Sequence, residues 1–401
     1  MLMSILIVIA IISIIVYLLF IAIFLNNIVE HKKTIKQHSL PVSIICSARN
    51  EEHNIRRFLD ALLIQEYDLN LVQVIIVDDC SEDQTKEILA LYKDKFKDYD
   101  YFTSEGRETV VSAKKNALTQ AISRAKHEII LTSDADCIPA KTWINGIVDI
   151  YQNNPSADMV VGFSETNIGQ RITSLNKLQK PLFKSIPFYA LFEHFDFMTL
   201  MFATAASINA SLYLSCSGQN LSFKKSSFDS VGGYKPIEKY ISGDDLHLMQ
   251  LFKQNKMNIF FANNTSARVK TQAIQSFSKL LNQRARWASN MKYMLSSNFF
   301  FFIYLLAVFL VTTLIPILLF WQFSLIVLIF IKIIIDLTFI IHSMKAFRIW
   351  DRFGRYGWRS KINFYSLFLS WTLIQPIYTL IISFLGVFSL FKWKDRKGFE
   401  K

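Results

Sequence analysis

The sequence predicts an α/β domain, a Rossmann-like mixed sheet built from βα units, set between membrane-length apolar helices at either end of the chain. Three observations carry this expectation. The composition is 52% hydrophobic with 35 Phe, and the mean hydropathy is +0.27, too apolar for a protein whose whole surface meets water. Much of that apolar content lies in runs near the two ends. Between them, from Pro41, short β-branched runs alternate with amphipathic stretches, the pattern of strands and helices around a largely parallel sheet.

Residues 2 to 25 are uncharged and apolar, and at about 1.5 Å per residue they cross a hydrocarbon core of about 30 Å. The run is too long for a signal peptide and lacks a basic start and a small-residue cleavage site, so 1–28 reads as a retained transmembrane helix. His31, Lys32, Lys33 and Lys36 follow it. Positive flanks favour the cytoplasmic side, which puts the N-terminus outside and the next region, 40–295, in the cytoplasm.

Within that region, 42–47 and 72–79 read as buried strands with a helix from Glu51 to Gln65 between them. A third strand spans 128–136, preceded by a helix near 112–126. Acidic residues stand at the carboxyl ends of the second and third strands, the edge where open α/β sheets bind ligands. Residues 195–216 are apolar, yet Asp196, Asn209 and many small residues favour a partly buried or interfacial helix followed by a strand over another span. Interfacial helices are expected near 180–205 and 275–295.

The C-terminal region, 299–390, holds three hydrophobic segments at 299–320, 323–341 and 364–390. Lys332 and Asp336 stand one helical turn apart in the second, where a mutual ion pair lowers their cost in lipid. They read either as a polar lining for a passage or, the favoured alternative, as a packing device. Lys345, Arg348, Arg352, Arg355, Arg359 and Lys361 make 342–361 a cytoplasmic loop. The tail, 391–401, carries Lys392, Lys394, Arg396 and Lys397. If every segment crossed once, it would end outside against the charge rule, which points to one re-entrant or interfacial segment.

The net charge is +12. Much of the Lys and Arg flanks the apolar segments, so membrane lipids are the simpler partner, and no basic stretch has the aromatic interleaving of a nucleic-acid module. Cys46, Cys80, Cys137 and Cys216 are scattered without zinc-ligand spacing and read as small, reduced core residues.

Asp134-Ala135-Asp136 places two carboxylates one residue apart at a strand end, a donor set suited to Mg²⁺ or Mn²⁺ completed by phosphate oxygens. Asp78-Asp79 ends the preceding core strand. Adjacent acids there need partners, and a nucleoside's ring N–H and ribose hydroxyls are suitable donors; a turn or helix cap is the alternative, compatible with binding. Ser242-Gly243-Asp244-Asp245 opens a helix from Leu246 to Gln254. The helix N-terminus lowers a carboxylate pKa while the neighbouring acid raises it, and this opposition is left open by the residues alone. Finally, Gln283, Arg286 and Trp287 share a helix face, offering an amide, a phosphate-binding guanidinium and an apolar ring for sugar stacking. Interfacial snorkelling is the alternative.

In this order, Asp78-Asp79, Asp134-x-Asp136, Gly243-Asp244-Asp245 and Gln283-x-x-Arg286-Trp287, the chain resembles the D, DxD, (E/D)D, QxxRW series of membrane-bound family 2 glycosyltransferases. That family includes synthases of hyaluronan, chitin oligosaccharide, poly-N-acetylglucosamine and cellulose, and ceramide glucosyltransferases. Ser215-Cys216-Ser217-Gly218 and SGDDLH (242–247) most resemble the hyaluronan and chitin-oligosaccharide group. The resemblance implies a GT-A-type nucleotide-sugar domain and a UDP-sugar donor. It implies inverting, metal-dependent transfer to a membrane lipid or growing glycan at the cytoplasmic face of a bacterial plasma membrane, the bacterial source also being suggested by a bias toward Ile, Lys, Asn and Phe. By position it implies Asn50, Glu51, Asp79 and Lys114 at the nucleotide, with Lys114 in SAKKN where relatives usually carry Gly-Lys. It further implies Asp134 and Asp136 at diphosphate and Mg²⁺ or Mn²⁺, Asp245 as base beside Asp244, and Gln283, Arg286 and Trp287 at diphosphate and acceptor. A processive synthase that extrudes a β-linked polymer is the alternative within the family, and a transporter or inactive scaffold the alternative outside it.

Overall fold

The computed structural model describes residues 1–32, 38–106, 110–167, 186–350, 358–393 and 396–397. Lys33, Lys36, Arg352, Arg355 and Lys394 lie outside the described residues, as do 180–185 of the expected interfacial helix. The described residues fall into two compact units: Met1–Glu30 with Ile168–Leu214 and Ala273–Lys401, and His31–Asn167 with Ser215–Gln272.

The second unit is the α/β one. Its strands β1 (Val42–Ala48), β2 (Val72–Asp78), β3 (Asp98–Thr103), β4 (Ile129–Thr132), β6 (Met159–Val161), β8 (Leu221–Lys224) and β9 (Ile259–Phe261) form a mixed sheet in the order β3-β2-β1-β4-β8-β6-β9. The pairs β3–β2, β2–β1, β1–β4 and β6–β9 are parallel, while β8 runs antiparallel to β4 and β6. Every residue of β2 is buried, which is why its sequence is an almost unbroken apolar run with no alternation. Helix α2 (Ile55–Leu63) buries Ile55, Phe58, Leu59 and Leu62 at three- and four-residue spacing, one stripe packed into the main core. A smaller sheet, β5 (Cys137–Pro139), β10 (Val269–Gln272) and β7 (Ser164–Asn167), completes the unit.

Three elements differ from the sequence reading. The strand expected over 128–136 ends at Thr132. Beyond it Ser133 Oγ donates to Gln219 O at 2.8 Å and Cys137 N to Asp134 O at 3.1 Å, so Asp134 and Asp136 sit in a turn at the sheet edge. Strand β3 carries no clear signal because DYDYFT is half-buried along its whole length. The apolar stretch from 195 is part of helix α6 (Phe188–Asn209). No strand follows at 210–217: Ser211 and Tyr213 have φ of 57° and 52°, and Leu212 N turns back to Ser207 O at 2.8 Å.

The other unit is helical. Among its described residues four helices are long and apolar enough to cross a membrane: α1 (Leu2–Asn27), α11 (Phe299–Leu318), α12 (Ile326–Ala346) with the residues just before it, and α13 (Trp358–Val387) over Asn363–Val387. Shorter helices α9 (Phe277–Ala288) and α10 (Met291–Ser297) precede α11. Phe20 and Phe24 of α1 pack on Tyr304 of α11 with centroids 5.1 and 5.4 Å apart. Lys332 and Asp336 form a buried ion pair at 2.5 Å; Lys332 also donates to Gln375 Oε1 at 2.8 Å, and Tyr17 donates to Asp336. The pair thus ties α1, α12 and α13 together, a packing device whose charges are fully partnered.

In the α/β unit, helix α5 (Trp143–Asn153) approaches the backbone before β10 closely: a Cβ on Gly146 would lie 2.4 Å from Ala267 N. Gly146→Ala is therefore expected to destabilise this unit by about 1–3 kcal/mol through overpacking against backbone that cannot yield. A denaturation midpoint equal to that of the wild type would contradict this.

Candidate functional site

The loops at the carboxyl edge of β1, β2 and β4 assemble the site. After β1, the buried Arg49 guanidinium donates to Asp79 O at 2.9 Å, Cys80 O at 2.5 Å and Glu82 Oε1 at 2.9 Å, pinning the loop that follows β2. Asn50 takes a left-handed φ of 53°, which asparagine tolerates. Its Oδ1 accepts from Glu82 N at 2.9 Å, and its N–H donates to Ser81 Oγ at 3.0 Å. Glu51 N donates to Thr85 Oγ1 at 2.8 Å, and the Glu51 carboxylate accepts from Asn54 Nδ2 at 2.8 Å. Asn50 and Glu51 thus brace two loops against each other.

The acid pair after β2 divides its duties. Asp78 accepts from Ser81 N at 3.2 Å and forms the turn, while Asp79 Oδ1 accepts from Ser104 Oγ at 3.1 Å at the end of β3. Asp78 thus takes the turn role weighed for this pair from sequence.

The Lys114 ammonium, in the first turn of α4 (Ala113–Ser123), joins two motifs. It lies 2.9 Å from Asp134 Oδ1 and 3.1 Å from Asp244 Oδ2. Burial alone would push the lysine down, but Asp134 and Asp244 outweigh it and hold its pKa well above the ordinary lysine value. Asp134 keeps a third of its side chain exposed, at 33%. Asp136 Oδ2 is 3.4 Å from Thr271 Oγ1 on β10. Among the described residues no group of three or more His, Cys, Asp or Glu forms a protein-only metal cage. Two hard carboxylates in one turn are a fitting partial donor set for Mg²⁺ or Mn²⁺ whose shell is completed by diphosphate and water.

Helix α8 (Asp244–Gln254) begins after Gly243, whose φ of 72° suits glycine. Asp245 Oδ2 accepts from Gly218 N at 2.6 Å and Oδ1 from Leu246 N at 2.7 Å. Burial and then the charge of Asp244 push Asp245 up to about 6, against the lowering effect of Lys114 and the two N–H groups. Burial raises Asp244 too, yet Lys114 and Lys115 overcome it and hold that carboxyl below its usual value. The opposition left open by the sequence thus separates the pair: Asp244 is held below its usual value, and Asp245 is pushed up to about 6.

Gln283, Arg286 and Trp287 lie on α9, which belongs to the helical unit. Ser276 Oγ caps this helix, accepting from Lys279 N at 3.2 Å. Sequence reasoning gave no individual site role to Arg49, Gly218, Thr271, Lys115 and Arg284. Only the tertiary fold brings the first three to the acidic edge. For Arg284 a signal existed: a cation on the inner side of α9 and the lone Asp196 of an apolar stretch each need a partner, and they pair at 3.0 Å.

The Glycosyl transferase family 2 model matches residues 43–209, and the Glycosyl transferase family group 2 model matches 129–391, more than half of the chain. A probable glycosyltransferase, YdaM, of Bacillus subtilis is 29% identical over 140 residues, 35% of this chain and 33% of that protein. Beta-monoglucosyldiacylglycerol synthase of Trichormus variabilis is 34% identical over 125 residues, 31% of this chain and 26% of the synthase. Poly-beta-1,6-N-acetyl-D-glucosamine synthase of Staphylococcus epidermidis is 28% identical over 145 residues, 36% of this chain and 33% of the synthase. The chain thus spans a third or less of the length of these curated relatives. Among solved structures, mannosyltransferase PcManGT of Pyrobaculum calidifontis, in complex with GDP-Man and Mn²⁺, superposes with a TM-score of 0.59 at 15% identity, covering 96% of this chain and 99% of that one. That likeness speaks for the fold. With the family match over most of the chain and a mixed sheet whose carboxyl edge carries the acidic residues, this chain belongs to the family 2 glycosyltransferases and has a GT-A-type fold.

Proposed function

We propose that the protein moves a sugar from a UDP-sugar to a membrane lipid or growing glycan at the cytoplasmic membrane face, with inversion at the anomeric carbon. The observation that carries this reading is the bridge from Lys114 to Asp134 at 2.9 Å and Asp244 at 3.1 Å, which draws the Asp134-x-Asp136 turn and the Asp244-Asp245 pair to one spot. In this reading Asp79 meets the uridine, with Asn50 and Glu51 shaping its loop. Lys114 lies beside the diphosphate. Asp134 and Asp136 would hold Mg²⁺ or Mn²⁺, which when bound neutralises diphosphate charge. Asp245 takes the proton of the acceptor hydroxyl as the new C–O bond forms and the bond to UDP breaks, turning an α-linked donor into a β-linked product. Gln283, Arg286 and Trp287 serve the diphosphate and acceptor. The lipid acceptor is supported by the likeness to a beta-monoglucosyldiacylglycerol synthase. The likeness to a poly-beta-1,6-N-acetyl-D-glucosamine synthase supports the second reading, a polymerising enzyme, and product length by mass spectrometry separates the two.

The tail belongs in this reading on the same face as α9. Asn282 of α9 exchanges two hydrogen bonds with the Lys392 backbone, at 2.5 and 2.7 Å, and a Cβ on Gly386 would lie 2.7 Å from Ala288 Cβ. At the other end of α13, Phe364 packs on Trp350 with centroids 5.3 Å apart. In this reading an even number of the three C-terminal segments crosses completely and the basic tail lies inside, as the charge rule asks. Cysteines placed at Lys397 and Lys279 should label from the same side of sealed vesicles; labelling from opposite sides would sink this topology.

The functional test is UDP release from UDP-sugars by the purified full chain with Mg²⁺ or Mn²⁺. Asp245→Asn should cost about 10²–10⁴-fold in kcat, Asp136→Asn should abolish the response to metal, and chelation should stop turnover. Activity of Asp245→Asn at the wild-type level would refute the base assignment. Because Asp245 must be ionised to accept a proton, kcat should fall as pH drops through about 6. Asp244→Asn removes the neighbouring negative charge and should move that limb to lower pH. Lys114→Gln removes a stabilising positive charge and should move it to higher pH; shifts of the same sign in both variants would contradict the electrostatic account.

A further inference from the structure

Beneath the Gln283 and Trp287 side chains, the Arg284 guanidinium touches both. Nη1 donates to Gln283 Oε1 at 2.8 Å, and the guanidinium carbon lies 4.2 Å from the centroid of the Trp287 ring. Nε donates to Asp196 Oδ2 on α6 at 3.0 Å. Asp196 is held in turn from α13, accepting from Trp371 Nε1 at 3.2 Å and from Tyr378 OH at 3.3 Å. Arg284 is almost fully buried, with 5% of its side chain exposed. Its Nη2 is buried without a hydrogen-bond partner.

This is an unusual way to use an arginine in an ion pair. A guanidinium serving only to neutralise a buried carboxylate would present its fork and make two parallel bonds. Here the Asp196 bond uses Nε alone, Nη1 and the ring face are committed to Gln283 and Trp287, and Nη2 is left empty at the cost of an unsatisfied donor. The guanidinium thus joins Asp196 on α6 to both neighbours on α9.

We infer that Arg284, anchored by Asp196, is a positioning residue that fixes the Gln283 amide and the Trp287 ring in the arrangement needed for sugar transfer. The inference rests on the proposed role of Gln283 and Trp287. Lysine keeps the charge opposite Asp196 but, as a point donor, cannot also bond the amide and lie flat on the ring.

Arg284→Lys separates this role from simple charge neutralisation. In the full-length enzyme, kcat should fall by about tenfold or more, as expected when reacting groups are slightly misplaced, with donor KM and melting midpoint close to wild type. Independently of activity, the emission of Trp287, isolated by subtracting a Trp287→Phe spectrum within each background, should become more accessible to acrylamide. Asp196→Asn should move both readouts in the same direction. Either readout moving alone in an active enzyme overturns the inference. If wild type transfers no sugar from any donor, increased Trp287 quenching in Arg284→Lys still supports the positioning while the functional reading fails. Unchanged quenching overturns the positioning, and loss of activity in Asp245→Asn beside it leaves the functional reading standing. Should Arg284→Lys not fold, Tyr378→Phe removes one donor holding Asp196 and is judged by the same two readouts.

Discussion

The acidic edge of the sheet depends on one ammonium group. Asp134, Asp244 and Asp245 would repel one another in a partly buried site, and without a cation between them protonation or expansion would follow. Lys114 stands 2.9 Å from Asp134 and 3.1 Å from Asp244, so a turn after β4 and the start of α8 share one counter-charge. The sharing is unequal. Asp244 has Lys114 and Lys115 to keep it ionised, while Asp245 bears burial and the repulsion of its neighbour and is pushed to about 6. The same lysine therefore holds the motifs together and gives two adjacent, chemically identical residues different protonation behaviour.

Around this centre the loops are fixed mostly through backbone groups. Arg49 donates to the carbonyls of Asp79 and Cys80, and Gly218 offers its N–H to Asp245. Such contacts set where a carboxylate points without consuming another side chain, the kind of support that keeps a site precise when it is built on loops.

The helical unit meets a related difficulty, polar groups in apolar surroundings, by giving each of two carboxylates several donors. Asp336 receives Lys332 and Tyr17, and Lys332 also reaches Gln375. Asp196 receives Arg284, Trp371 and Tyr378. In each case one carboxylate joins three helices. A buried carboxylate is expensive without donors and specific once it has them, because only one arrangement of the helices brings all of its partners within reach.

The apolar runs, the βα alternation and the ordered acidic motifs were legible locally, because lipid solvation, strand burial and helix periodicity act on contiguous residues. The extent of β4 was overread because the acidic motif was joined to the strand, although Ser133, Asp134 and Asp136 are turn-forming types; Ser133 Oγ bonds to Gln219 O, from distant chain. Edge strand β3 stayed silent because half-buried strands need not alternate. The sequence by itself determined the family, the fold class and the chemical types available at the sheet edge. Only the tertiary structure decided that Lys114 links Asp134 to Asp244, that burial and Asp244 push Asp245 up to about 6, and that Arg284 turns toward Gln283 and Trp287. Those outcomes depend on distance and burial between segments far apart in the chain, and Coulomb and desolvation terms of that kind have no local signature in a sequence.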